Sequence, residues 1–457
     1  MIKGLFSGAL VLVSSLASAA PAASPGHTAH VFDASQLVAA THNLRTSRIV
    51  VHRSLEGLAS LALLPGQRLI GQAAGITLSF RPGEDGVRTS TDSHLERLIL
   101  VTSPERRAVY NDDQVASLGS VLLQDISTVG QVQFVARREL KAGRIQARNV
   151  HVRFADSTAQ PERPGTGVVG DVVKNIDIEQ GAFTVLNLQE DRDSLLEVDL
   201  RDIAIGSEQQ PVYGSGILLS SGKGNIHTHP GQMLGGQVRV TALETGDVFN
   251  DSRLPEGTSN KISGSVFVAY AQADLVVNRG RTVSYGVNGL GLDNWGTTRN
   301  WTSIGPVTTH GTSGMGVVSF GMLEHLSVAS VETFGNGARA YNVLTGTVQN
   351  TYFGWLRTHG NGASAILLTQ PVGHLSVNGN IETSGGSAGS LVKGVIYQQP
   401  SSGVWLKDGS AQQIFVGGKI ITRGSDNPPV LLQNSQVGRL VLGGVPMPAN
   451  TGAVKPL

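Results

Sequence analysis

Few side chains in these 457 residues stand at spacings that could do chemistry. Asp293-Asn294-Trp295 follows the strand-like run Val287 to Leu292 and sets a carboxylate two residues from an indole. At a turn, an exposed ring there could stack on a sugar while the carboxylate accepts its hydroxyls. The plainer reading is a turn-forming Asp-Asn beside a packing Trp. Asp112-Asp113 is a carboxylate pair, set in Tyr-Asn-Asp-Asp-Gln. His227-Thr228-His229 offers two imidazoles at a strand-compatible spacing, but no carboxylate or third histidine lies within six residues on either side. No metal and no cofactor is therefore expected. Gly385 to Gly389 spells Gly-x-Ser-x-Gly, but Gly-rich stretches such as Gly385-Gly386 lack the strand-to-helix context of a nucleophile elbow or nucleotide site. There is no phosphate-binding Walker-type loop or zinc-protease helix. Cysteine is absent, which removes disulfides, thiolate ligands and a cysteine nucleophile.

A second set of positions emerges only from a repeat. The unit apolar-x-Thr-x-Gly occurs as Val307 to Gly311, Val331 to Gly335, Leu356 to Gly360, Ile381 to Gly385 and Ile420 to Gly424. Thr282 to Gly286 is a weaker first copy with serine for threonine. The glycine positions step by 25, 24, 25, 25 and 39, so the last interval holds an insertion, expected around Pro400 to Asp408. The residue before each glycine forms a column: Tyr285, His310, Phe334, His359, Ser384, Arg423. If the apolar residue and the threonine point inward, this column faces out with neighbours about 4.8 Å apart. Its flat rings could stack on sugars, or simply on one another. Beside it, Glu332, Arg357 and Glu382 alternate in sign, as a structural charge ladder does. Two coils would set Glu332 and Glu382 within the roughly 5 to 9.5 Å of a glycosidase pair. Arg357 between them would depress both pKa values and suit a general acid badly.

The elements that must carry these columns are short strands. Leu323, Leu326, Val328 and Val372, Leu375, Val377 share the pattern apolar-x-x-apolar-x-apolar, repeated in Val437, Leu440, Leu442. The N-terminal half carries it in Leu95, Leu98, Leu100 and in Leu118, Val121, Leu123. A unit of about 25 residues with two or three such strands cannot bury its apolar face alone. Stacked copies can, and the result is a parallel β-solenoid. A propeller blade needs roughly 40 to 45 residues with tryptophan signatures, which four scattered tryptophans do not supply. Composition agrees: glycine is 58 of 457 residues, to turn each coil several times, and charged residues only 15%. A net charge of +1 gives no footprint for nucleic acid or anionic membrane.

These repeats resemble those of right-handed parallel β-helix proteins of the pectin-lyase-like superfamily. The stretch Ile-Glu-Thr-Ser-Gly-Gly-Ser-Ala from Ile381 is similar to coils of autotransporter and adhesin passengers, with the resemblance clearest over 280–445. It implies an all-β, single-stranded right-handed solenoid. For an enzyme it implies cleavage or epimerisation of acidic polysaccharides by a basic residue with aspartate-held calcium, or by grouped aspartates. Asp112-Asp113 lacks the surrounding motif.

The expected organisation is a signal peptide over 1–19, a linker and cap over 20–45, the solenoid over 46–445 and a tail over 446–457. Lys3, the apolar run Leu5 to Val13 and Ala17-Ser18-Ala19 carry the signal. Asp33 is the expected N-cap of a short helix covering the first coil. Asp156 to Gly170 reads as a loop excursion, and about 400 residues at about 25 per coil make roughly 16 coils. The expected function is an exported, non-catalytic solenoid, secreted or periplasmic and not membrane-inserted, that binds polysaccharide, matrix or cell-surface glycan or contributes to a cell-surface layer. Tyr285, His310, Phe334, His359, Asp293 and Trp295 are its candidate binding residues. The alternative is a polysaccharide lyase or glycoside hydrolase whose site is assembled across coils.

Overall fold

The computed structural model describes residues 26–161, 165–166, 176–225, 228–392, 395–424, 427–447 and 452–454, and the expected signal sequence lies outside them. Strand makes up 61% and helix 2%, and the chain forms the all-β solenoid expected from the repeat. One coil runs through Gly289–Asn294, then Thr297–Ser303, then Val307–Thr309, and the next opens at Met315–Ser319. Each strand pairs in parallel with its equivalent one coil on: Leu290 with Met315, Thr298 with Leu323, Val307 with Val331. First faces join into a 15-stranded sheet, and second and third faces into a 23-stranded sheet bent round the corner between them.

Register makes the core continuous. One inward column of the second face passes through Ala29, Ile49, Leu69, Leu95, Leu123, Ala147, Leu200 and Leu243. It goes on through Val276, Trp301, Leu326, Thr351, Leu375, Ile414 and Leu440. The step is even from Val276 to Leu375, at about 25 residues per coil. It is about twice as long from Ala147 to Leu200, and lengthened again from Leu200 to Leu243. Fifteen rungs, spanning about 67 Å, replace the 16 coils expected, because the longest steps contain excursions.

The repeat's threonine and glycine now have separate reasons. Thr309, Thr333, Thr358 and Thr383 are buried inside the third face. A Cβ on Gly311 would lie 1.5 Å from the carbonyl oxygen of Gly286, and at Gly335, Gly360 and Gly385 the clash with the glycine one coil earlier recurs at 1.9, 1.9 and 2.0 Å. Of these five glycines only Gly286 has a positive φ, 76°. Close approach of successive turns, more than backbone handedness, demands glycine here.

The insertion lies elsewhere than expected. The long step from Ile381 to Ile420 contains an antiparallel hairpin, Ala388–Val392 with Val395–Gln399. Val404–Lys407, inside the stretch assigned to the insertion, is a regular rung paired with Ile366–Leu368, and its Val404 and Leu406 join the core. The Asp156–Gly170 excursion is present where described: Gly165–Thr166 pairs with Lys223–Asn225, which pairs antiparallel with His229–Met233. Ile176 and Ile178, beside the start of the first-face strand Lys261–Ala269, form with Ile262 of that strand a second apolar cluster that includes Phe267, Tyr270, Trp295 and Phe320.

Both ends are closed. Asp33 caps helix Ala34–His42, its Oδ1 accepting from the Gln36 N–H at 2.8 Å, and Leu37 and Ala40 pack on the core. Strand His27–Val31 already pairs with Thr46–Val51, so the cap region also contributes a rung. At the other end Val445–Met447 folds antiparallel onto Gln436–Leu442, and Gly452–Val454 onto Val430–Gln433. Part of the expected tail therefore covers sheet edges that would otherwise invite association.

Candidate functional site

The column before each glycine is an aromatic stack. Ring centroids of Tyr285–His310, His310–Phe334 and Phe334–His359 lie 5.0, 4.9 and 4.6 Å apart, tilted by only 9°, 6° and 3°. The coil spacing sets this distance, and parallel register holds the ring planes parallel. The column faces out as expected, with Phe334 41% exposed. Its ring faces, however, cover one another, so solvent meets mainly edges. Burial in the stack lowers the His310 pKa, partly opposed by Glu332.

The neighbouring charges form a closed ladder. Arg357 reaches Glu332 at 3.5 Å and Glu382 at 3.6 Å, Arg423 reaches Glu382 at 3.5 Å, and His359 Nε2 lies 2.8 Å from Glu332 Oε1. Both carboxylates of the geometric pair are thus engaged by guanidinium groups. Asp113 is likewise taken up, by Arg137 at 2.7 Å and Arg138 at 3.4 Å, and Asp112 accepts the Gln114 N–H. Of the histidine pair, His227 lies outside the described residues. His229 sits 2.8 Å from the Thr228 hydroxyl.

Asp293 and Trp295 are a correction. The expected exposed ring beside a turn carboxylate is instead two buried side chains, 0% and 1% accessible. Leu292 points into the coil and Asp293 away from it, between register partners Phe267 and Val318. On an ordinary sheet that side would meet solvent, but here Ile176 and Ile178 join Ile262 in an apolar cluster on it. Trp295 packs edge-on against Phe267 at 5.4 Å and Tyr270 at 5.9 Å. Neither Asp293 oxygen nor the Trp295 N–H has a partner at hydrogen-bond geometry, and burial raises the Asp293 pKa well above the carboxylate range, with the nearby Trp295 N–H acting in the opposite direction.

The largest of the described hollows lie on the second face of the C-terminal half. Its outward column runs Asn300, His325, Asn350, His374, Gln413, Arg439 in consecutive register. A hollow of about 360 Å³ is lined by Asn300, His325, Asn350, Tyr352 and His374. It adjoins one of about 1150 Å³ lined by Asn350, His374, Gln349, Gln412, Gln436 and the glycines Gly373 and Gly438. The two glycines leave the floor open where longer side chains stand in the coils before. None of these residues was a candidate from the sequence, although His325 and His374 occupy the second intervening position of the apolar-x-x-apolar-x-apolar pattern. Their signal was nonetheless present, since Asn300, His325, Asn350 and His374 recur at the period of the glycines, each just before an inward residue of its strand. Only register shows that they share one groove.

Comparison with protein-family models, curated proteins and solved structures finds no match to this chain.

Proposed function

We propose that this chain is an exported β-solenoid that binds a glycan or matrix polymer along the second-face groove and holds it without cleaving it. One observation carries the reading. His325, Asn350 and His374 face the groove, and among the described residues their side chains make no hydrogen bond or ion pair within the protein. Such free donors and acceptors on a rigid sheet suit a ligand rich in hydroxyls. Tyr352, 42% exposed in the same hollow, adds a ring whose face no other described aromatic covers. The stacked column from Tyr285 to His359 then supplies stiffness at the neighbouring edge, with the His359 face toward Ser384 left open. Lys3, the apolar run behind it and Ala17-Ser18-Ala19 support export. Right-handed winding of the pectin-lyase-like kind belongs to the same reading, since parallel crossover connections take that hand in nearly all cases.

Affinity electrophoresis of the full chain in gels containing neutral or uronate polysaccharides tests this. Retardation that His374→Ala weakens is expected. Mobility unchanged in every gel would overturn glycan binding, and new reducing ends after incubation would overturn the non-catalytic part.

A further inference from the structure

The groove has a period as well as a chemistry. Its outward column alternates amide and imidazole over four consecutive coils: Asn300, His325, Asn350, His374. Equivalent groups are therefore two coils apart, about 9.6 Å at the spacing of hydrogen-bonded strands. That is close to the length of a two-residue unit in an extended β-linked polysaccharide. A ligand whose hydroxyl pattern recurs every second sugar would meet the same pair of protein groups at each repeat, with the chain lying along the solenoid axis.

Charge narrows the class further. No Asp, Glu, Lys or Arg lines either hollow. The column next to the alternating one begins charged, as Asp274, Arg299 and Glu324, but Arg299 lies 3.5 Å from Asp274 and 3.9 Å from Glu324, so these charges answer one another. Further along, the same column becomes Gln349, Gly373, Gln412 and Gly438. Between Asn300 and His374, burying a carboxylate of the ligand against amides and imidazoles would cost desolvation without a fixed counter-charge, since the one arginine of the column, Arg439, stands two coils beyond His374. Hydroxyls incur far less cost and find both donors and acceptors there.

We infer that the groove recognises a neutral, linear polysaccharide in register with its disaccharide repeat, two coils to each repeat. This rests on the glycan-binding reading and adds the charge and the repeat length of the ligand. It departs from the acidic substrates that the β-helix resemblance implied.

The test is calorimetric titration of the full chain with cello-, xylo- and manno-oligosaccharides of two to eight sugars, beside oligogalacturonides of the same lengths. For at least one neutral series, affinity should rise in steps at each added pair of sugars and stay the same at high salt. Oligogalacturonides should bind at least tenfold more weakly. His325→Ala and His374→Ala should each weaken the longest oligomer about fivefold, the value of one hydrogen bond, and His→Gln at the same positions should restore part of it. Circular dichroism controls for folding, since both side chains lie on the surface. A smooth gain per single sugar, or tighter binding of the uronates, overturns this inference while leaving glycan binding intact. Heat with none of the series, together with no retardation by any polymer, overturns both.

Discussion

The two halves of the solenoid keep the same inward column and treat everything outside it differently. From Val276 through Trp301, Leu326 and Thr351 to Leu375 the rungs follow at an even step. From Leu69 to Val276 the step varies about twofold, and it is longest between Ala147 and Leu200. The outer surfaces differ in kind as well. In the N-terminal half Arg148, Asp199, Arg201, Glu244 and Arg279 form one chain of ion pairs at 2.6 to 3.1 Å. In the C-terminal half His325, Asn350 and His374 have no partner among the described residues and line a groove. A surface satisfied by its own charges has little left for a ligand. One whose groups are left open, on a scaffold of even pitch, presents a ruler.

The backbone separates the halves too. Leu95-x-x-Leu98-x-Leu100 looks like Leu323-x-x-Leu326-x-Val328, yet register sets Leu95, not Leu98, in the column that contains Leu326. In the N-terminal coils the second intervening residue turns the corner with positive φ, as at Arg97, Asp125, Asn149 and Asp202. His325, Asn350 and His374 have no such φ. One sequence pattern thus serves as a corner in one half and as a flat, open face in the other.

Substitutions can break or sharpen this contrast. The largest effect is expected from the shared column: Trp301→Ala removes a fully buried ring and its hydrogen bond to Asn278, 2.8 Å away, and should cost about 3–5 kcal/mol in urea unfolding. A loss below about 1 kcal/mol would mean the regular half does not depend on that column.

Next comes Asp293→Asn under the outer cover of the first-face sheet. The unfolded carboxyl loses its proton near about pH 4, whereas the folded one, with its raised pKa, keeps it to higher pH. Between those two values the unfolded state binds fewer protons, so stability falls as pH rises. The variant should be more stable than the parent at neutral pH by about 1–3 kcal/mol, with the difference vanishing below about pH 4. Melting curves in acid and at neutral pH that shift equally for both proteins would contradict it.

Arg201→Ala leaves Asp199 and Glu244, only 12% and 13% exposed, each with one fewer cation. It should lower stability by about 1–2 kcal/mol and leave polysaccharide retention untouched. Lost retention there would move the binding surface into the N-terminal half. Phe334→Ala interrupts the aromatic stack and should cost about 0.5–1.5 kcal/mol, again with retention kept. Weakened retention would instead assign the stack to the ligand. His374→Ala should be the mirror case, with stability unchanged within about 0.5 kcal/mol and retention reduced.

Much of the frame was legible residue by residue. The spacing of 25, 24, 25, 25 and 39 between glycine positions is also the spacing of the paired strands at Thr282, Val307, Val331, Leu356, Ile381 and Ile420. The stacked rings and the Glu332–Arg357–Glu382 ladder follow from it, because parallel in-register pairing converts a sequence period into a spatial column. Asp33 was legible as a cap because capping is local. Asp293 and Trp295 were not, because their burial depends on Ile176 and Ile178, distant in sequence and outside the regular coils. Nor was the hairpin at Ala388–Gln399, since an insertion shows its length in the period but not its position.

The amino-acid sequence by itself determined that this chain coils, how long a regular coil is and which residues stack from one coil to the next. It could do so because each of those properties depends on near neighbours and on a fixed inter-strand distance. Which outward surface stays open was decided only by the tertiary structure. Excursions of the chain cover one sheet, ion pairs engage much of another, and the groove past Asn300, His325, Asn350 and His374 is left open.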